Sequence, residues 1–164
     1  MKHRHLLTIG IIFLLAIIVT IVFNQFHEEQ ESPNFSTTKS TPTQKIKSIS
    51  IGDKILNVEL ATTPNEWQAG LSNRPSLDSN AGMLFIFPVS EMRNFWMKDT
   101  LIPLDIIWVN NNTVIGIDRM FPEPTSPEFD LKRYYSPSES NAVIEVNSNW
   151  TINNNIKIGD IVSY

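Results

Sequence analysis

Leu6 to Phe23, LLTIGIIFLLAIIVTIVF, runs for eighteen residues without a charge. No other feature restricts the folding of this chain as strongly. As a helix rising about 1.5 Å per residue, the run reaches roughly 27 Å, close to the hydrocarbon thickness of a bilayer. A buried core helix is the competing reading, but apart from Thr8 and Thr20 no polar residue interrupts the run. A cleavable signal peptide has a shorter apolar core and a small-x-small cleavage site, and TIVFNQFH (Thr20 to His27) offers none. The run therefore reads as an uncleaved transmembrane anchor. Lys2 and Arg4, with His3 and His5, precede it, whereas Glu28, Glu29 and Glu31 follow it. The positive-inside bias puts residues 1–5 in the cytoplasm and everything after the anchor outside, at the cell membrane.

Residues 24–45 shift to Glu, Gln, Ser, Thr, Pro and Asn, with too little apolar surface for a core. They read as a flexible linker. Residues 46–164 remain as one extracytoplasmic domain of ordinary single-domain size. The net charge of −4, with no basic block or stripe, argues against nucleic acid as a partner. The chain has no cysteine, so it uses no disulfide framework and no lipobox.

A two-residue hydrophobic period dominates the domain. Ile46 to Ile51 and Ile55 to Ala61 are strand candidates joined at Gly52-Asp53. Thr63-Pro64-Asn65-Glu66 has the N-cap, first-position proline and capping-box acid of a short helix running to about Leu71. Met83 to Phe87 reads as a strand ended by Pro88, with Met83, Phe85 and Phe87 on a core face. Asn94 to Lys98 and Leu104 to Val109 read as a strand pair. Asn110-Asn111-Asn112 is a turn signal, and Thr113 to Arg119 follows as a strand. Phe121 to Ser138 is a long Pro-rich loop, in which Phe129, Tyr134 and Tyr135 are expected to tack the loop down. Ala142 to Val146, a helical turn over Trp150 to Asn154, and Ile161 to Tyr164 complete the set. The expected fold is all-β, a mainly antiparallel barrel or sandwich with one or two short helices, preceded by the N-terminal transmembrane helix.

After His27 the chain has neither His nor Cys. A Ser-His-Asp triad, a thiol nucleophile and a His/Cys zinc site are excluded, and no metal site or cofactor is expected. No Gly-rich phosphate loop is present. Catalysis would need a lysine or carboxylate base, or a hard cation bound through oxygen.

FWMKDTLIPLDIIWV, residues 95–109, places Lys98, Asp99 and Asp105 in an otherwise apolar run. A hairpin with Thr100 to Pro103 as its loop sets Lys98 opposite Asp105. The favoured reading is an ion pair that fixes the hairpin register. The functional reading is a polar pair on the floor of a pocket walled by Trp96 and by Phe95 or Met97. Arg74 reads as a surface residue capping carbonyls, or as an anion-binding group. Glu145, inside a strand, is expected to point outward or to pair with a basic residue. A role beside Lys98 is the minority reading. Asp118 and Arg119 read as a solvated edge pair.

These residues also carry a resemblance. Gly70-Leu71 with Arg74 and Leu77, Gly82-Met83-Leu84-Phe85 with Phe87, and Phe95-Trp96-Met97-Lys98-Asp99-Thr100 make up its first part. Ile102-Pro103-Leu104-Asp105-Ile106, Ile144-Glu145-Val146 and Ile158-Gly159-Asp160-Ile161-Val162 complete it. From about Val58 to Val162 the chain resembles the domain of unknown function 192 family, small and often exported β-rich domains of bacteria and archaea. The resemblance implies a compact barrel-like fold carrying a helix, and no reaction. The chain departs from the family pattern at Ser72, where Met is common, at Asp99, where Asn is usual, and at Asn149, where Gly is usual.

Function is expected to be non-catalytic binding of a small ligand, a glycan or an envelope protein, with Lys98, Asp105, Trp96, Arg74 and Glu145 as the candidate residues. The alternative is an envelope hydrolase or lyase using Lys98 with Asp105 or Asp99 as acid and base.

Overall fold

The computed structural model describes residues 45–164; the expected anchor over 6–23 and the linker before Lys45 lie outside the described residues. Among the described residues no helix is long and apolar enough to cross a membrane.

β1 (Ile46–Ile51) and β2 (Lys54–Ala61) form the expected hairpin, turned at Gly52-Asp53 with Gly52 in the left-handed region at φ 58°. Helix α1 (Pro64–Ala69) begins as its sequence dictates. Thr63 accepts from the Glu66 backbone N–H, and the Glu66 carboxylate accepts from the Thr63 N–H at 2.9 Å. Hydrogen bonds from the Thr62 N–H at 2.7 Å and from Thr63 hold the Glu66 carboxyl below its ordinary range. The helix stops at Ala69 because Gly70 takes φ 46°, ψ −136°, a backbone region open essentially to glycine alone.

From α1 the chain crosses back to β3 (Ala81–Glu91), which runs parallel to β2, the one parallel pair of the main sheet among the described residues. Pro88 does not end this strand. The register against β8 (Ser140–Asn147) is irregular between Ile86 and Glu91, and there the ladder tolerates a residue without an N–H.

The expected pairing of Asn94–Lys98 with Leu104–Val109 is overturned. β4 is only Asn94–Phe95, and it pairs with β7 (Tyr134–Tyr135). β5 (Leu104–Asn110) instead lies between β6 (Thr113–Met120) and β8 (Ser140–Asn147). The physical reason lies in β5 itself: Leu104 through Val109 are all buried. A strand buried on both faces needs a ladder on both edges, and a two-residue strand cannot supply one. β5 and β6 meet at Asn111 and Asn112, both left-handed at φ 47° and 62°, as a type I′ turn requires.

The seven-stranded sheet has the order β6-β5-β8-β3-β2-β1-β9, with β9 at Val162–Ser163. It curls into a half-barrel whose edges meet at one end. There Thr113 bridges Ile161, and the Val162 N–H donates to the Asn112 carbonyl at 2.8 Å. One apolar cluster, including Ile51, Leu56, Leu84, Ile107, Ile144 and Val162, packs against one face of the sheet. A second, including Leu71, Met83, Phe85, Met97, Ile106 and Trp108, packs against the other. The core face expected of Met83, Phe85 and Phe87 belongs to the second cluster. Trp67 of α1 packs on Phe87 with ring centroids 4.9 Å apart and donates to the Ala61 carbonyl at 3.0 Å. Helix α2 (Trp150–Asn153) is the expected helical turn.

The long loop is only partly tacked down. Tyr134 is buried, Tyr135 is exposed, and Phe129, on a short 3-10 turn (Glu128–Asp130), is 85% exposed.

Candidate functional site

Alternation along the strands sorts the candidate residues. Asp105 shares a face of β5 with Ile107 and Val109, whereas Glu145 shares a face of β8 with Val143. The two carboxyls therefore belong to opposite faces of the sheet.

Asp105 is sealed at 1% exposure. Its Oδ1 accepts from Arg119 Nε at 3.0 Å, and its Oδ2 accepts from the Thr151 N–H at 3.1 Å and the Thr151 hydroxyl at 2.6 Å. Arg119 faces it directly across the β5–β6 ladder. Asp105 is thus a pin, as favoured, but its partner is Arg119 and not Lys98. Asp118 and Arg119 are not the expected solvated pair either. Neighbours on a strand point to opposite faces, so while Arg119 reaches Asp105, Asp118 accepts from Trp108 Nε1 at 2.8 Å.

Lys98 reaches the Glu128 carboxylate at 2.6 Å, on the 3-10 turn of the long loop. The loop holding Lys98 is fixed by backbone geometry. Asp99 and Asn73 both sit in the left-handed region, at φ 53° and 60°, and the Asn73 N–H donates to the Asp99 carbonyl at 2.7 Å. The Ser72 hydroxyl donates to the Lys98 carbonyl at 3.0 Å. Asn and Asp tolerate this conformation, which gives a physical reason for the Asn/Asp exchange at 99. The same holds for Asn149 at φ 70°, where glycine is the other natural occupant.

The locked turns 72–74 and 98–99 face the end of α1 across an open cleft of about 560 Å³. Asn65, Gln68, Gly70, Asn73, Arg74 and Lys98 contribute to its wall. Arg74 is engaged by both Glu59 carboxylate oxygens, at 2.6 and 2.5 Å, and this raises its pKa further. The pair also borders a second hollow of about 540 Å³, on the side of β2. On its far side, Lys98 borders a third hollow of about 360 Å³ with Glu128. The Trp96 ring stands behind Lys98, with Lys98 Nζ 5.6 Å and the Arg133 guanidinium 3.5 Å from its centroid.

Glu145 departs from expectation. It neither points outward nor pairs with a base. It is 5% exposed and lies between Met83 on β3 and Ile106 on β5. Burial pushes its carboxyl up to about 8, so it is mostly protonated at neutral pH. Its Oε2 lies 3.9 Å from where a Cβ on Gly70 would stand.

The structure thus brings Arg74 and Lys98 to one cleft, sets Trp96 behind Lys98 and Glu145 behind Gly70, and leaves Asp105 elsewhere. Sequence reasoning missed Glu59, Glu128 and Gly70. The usual Asn at 99 was the one available signal that the turn is left-handed. The geometry also bears on acid–base chemistry through Lys98. Glu128, and to a lesser extent Asp99, raise the Lys98 pKa and hold it charged, the opposite of what a general base needs.

A family model for domain of unknown function 192, described as an uncharacterized ACR, matches residues 47–164. The chain belongs to the DUF192 family. The resemblance expected from the Phe95–Thr100 and Ile102–Ile106 motifs is therefore correct. A crystal structure of a protein of unknown function from Novosphingobium aromaticivorans DSM 12444 is similar, with 29% identity and a TM-score of 0.68. The match covers 76% of this chain and 89% of that one. A Sinorhizobium meliloti 1021 protein described as a "putative transcription regulator" is similar at 24% identity, a TM-score of 0.66 and coverage of 73% and 94%. That second likeness concerns the fold alone. A search of curated proteins finds no match.

Proposed function

We propose that this DUF192 domain is a binding module displayed outside the cell membrane on the 6–23 anchor, and that the Arg74–Lys98 cleft takes a small polar ligand or an exposed glycan. One observation carries the reading: side-chain amides and two cations line an open cleft whose loops are locked by the Asn73–Asp99 bond. Binding sites hold few polar groups and hold them still, and left-handed turns bonded to each other supply that rigidity. Because each cation is already matched by a carboxylate, the cleft suits a hydroxyl- or amide-bearing ligand better than a strong anion.

Native mass spectrometry of the full chain, purified in detergent from its own host, tests the reading. The wild type is expected to carry a bound small molecule. Lys98→Ala is expected to lose it, with affinity lowered about tenfold or more, the effect of removing one charged hydrogen bond. Its thermal midpoint is expected to stay close to wild type, because an exposed ion pair contributes little to stability. A ligand retained at full occupancy by Lys98→Ala, or a wild type that arrives empty, sinks the proposal.

The topology has its own check. Protease added to intact cells or spheroplasts is expected to digest residues 46–164 and spare the N-terminus. Protection of the domain until the membrane is lysed would overturn the extracytoplasmic placement.

A further inference from the structure

Glu145 is the one strongly perturbed carboxyl among the described residues that no interaction explains. No hydrogen bond or ion pair engages its side chain, and only desolvation moves its pKa. Yet among the described residues no fully enclosed polar side-chain atom lacks a partner. The unpartnered Glu145 oxygens are therefore not fully enclosed, and the side chain's small residual exposure falls on them. Gly70 shows which way they face. It lines the Arg74–Lys98 cleft, and a Cβ there would stand 3.9 Å from Oε2 and 3.5 Å from the Phe85 ring. The bare glycine backbone leaves open a gap that any side chain would narrow.

We propose that Glu145 is a ligand-contacting group of this cleft, reached past Gly70, that donates a hydrogen bond to a hydroxyl or carbonyl oxygen of an uncharged ligand. This rests on the cleft being the binding site. The choice of an uncharged partner follows from the surroundings. Across the ladders Glu145 meets Met83 and Ile106, and toward α1 it meets Gly70 and Phe85. The charged groups of the same region are committed elsewhere: Arg74 to Glu59, Lys98 to Glu128, and Glu66 to Thr62 and Thr63. A cationic ligand would have to ionise Glu145 against this apolar wall, and burying such a pair is costly. An oxygen acceptor needs only the proton that the carboxyl already holds.

The test reads the carboxyl directly and needs no known ligand. A neutral diazoacetamide esterifies protonated carboxyls: the acid proton moves to the diazo carbon, dinitrogen leaves with its bonding pair, and the carboxylate oxygen forms the new C–O bond. The full chain in detergent is treated at neutral pH with this probe or with its trimethylammonium analogue, then mapped by peptide mass spectrometry. Glu145 is expected to be the dominant site for the neutral probe, labelled at least severalfold more than by the cationic one. Labelling is expected to fade as pH rises through about 8. Gly70→Ala, if folded by circular dichroism, is expected to reduce the label. The wild-type comparison decides the matter if that variant does not fold. An unlabelled Glu145, or preferential labelling by the cationic probe, overturns the inference. If native spectra still show a Lys98-dependent ligand, the cleft reading survives such a failure. If Glu145 labels as expected but no ligand is found, it is the binding reading that fails.

Discussion

Asp105→Ala is expected to destabilise the domain by about 2–4 kcal/mol, the cost of removing a buried carboxylate that accepts from Arg119 and twice from the buried Thr151. Two losses combine. Arg119 is left about one-third exposed without its carboxylate, and the Thr151 N–H and hydroxyl lose the acceptor that fixes α2 beneath the sheet. Asp105→Asn keeps one oxygen for Thr151 and loses the charge facing Arg119, so it is expected to cost less than alanine. Urea denaturation of the full chain in detergent measures both, and fluorescence reports near the lesion because the buried Trp150 precedes Thr151. Lys98→Ala is the discriminating control. If Lys98 were the partner of Asp105, the two alanine variants would lose comparable stability. With Arg119 as the partner, Asp105→Ala is expected to fall far below Lys98→Ala. Equal losses would refute the pairing.

The contrast shows what local sequence could and could not specify. Elements set by neighbours in the chain were legible: the Thr63–Glu66 capping box, the Gly52-Asp53 turn, the Asn111-Asn112 turn and the apolar alternation through Met83, Phe85 and Phe87. Fold class followed from the same signals, while the parallel β2–β3 crossover did not, because α1 between two strands fixes no strand direction by itself. The error at Lys98 and Asp105 came from treating proximity in sequence as pairing in space. Leu104 to Val109 is apolar on both faces, which identifies a central strand, and a central strand takes its partners from distant segments, here β6 and β8. Once that hairpin dissolves, Lys98 and Asp105 go to different partners and different roles. The candidate site was legible as residue types but not as a constellation. Arg74 and Lys98 come together only because the turns 72–74 and 98–99 bond directly to each other along one wall of the cleft. The sequence marks neither turn with a glycine, so the Asn usual at position 99 was the one hint of a left-handed residue there.

Glu145→Gln is expected to stabilise the domain at neutral and alkaline pH and to flatten its pH dependence. Burial lifts the Glu145 carboxyl from 4.5 to about 8, with no cation to offset it. The folded state therefore keeps a proton that the unfolded chain releases. The contribution of this group is fully present below about pH 4.5 and is lost progressively as pH rises through about 8. Over that window the loss amounts to on the order of 4–5 kcal/mol. Glutamine has nearly the same shape and no titrating proton, so its variant escapes this slope. Denaturation midpoints for wild type and variant, taken at about pH 5 and about pH 9, give the comparison. Near the lower pH the two are expected to agree within about 1 kcal/mol, and near the upper the variant is expected to lead by several. Parallel curves would mean that Glu145 is solvated or paired in solution, and the uncharged acid proposed for the cleft would fall with them. A chain that carries an acid where glutamine is more stable at neutral pH carries a cost in folding, and such costs collect where a group's proton is used. The position of Glu145 behind Gly70, which itself lines the Arg74–Lys98 cleft, supplies a use for that proton.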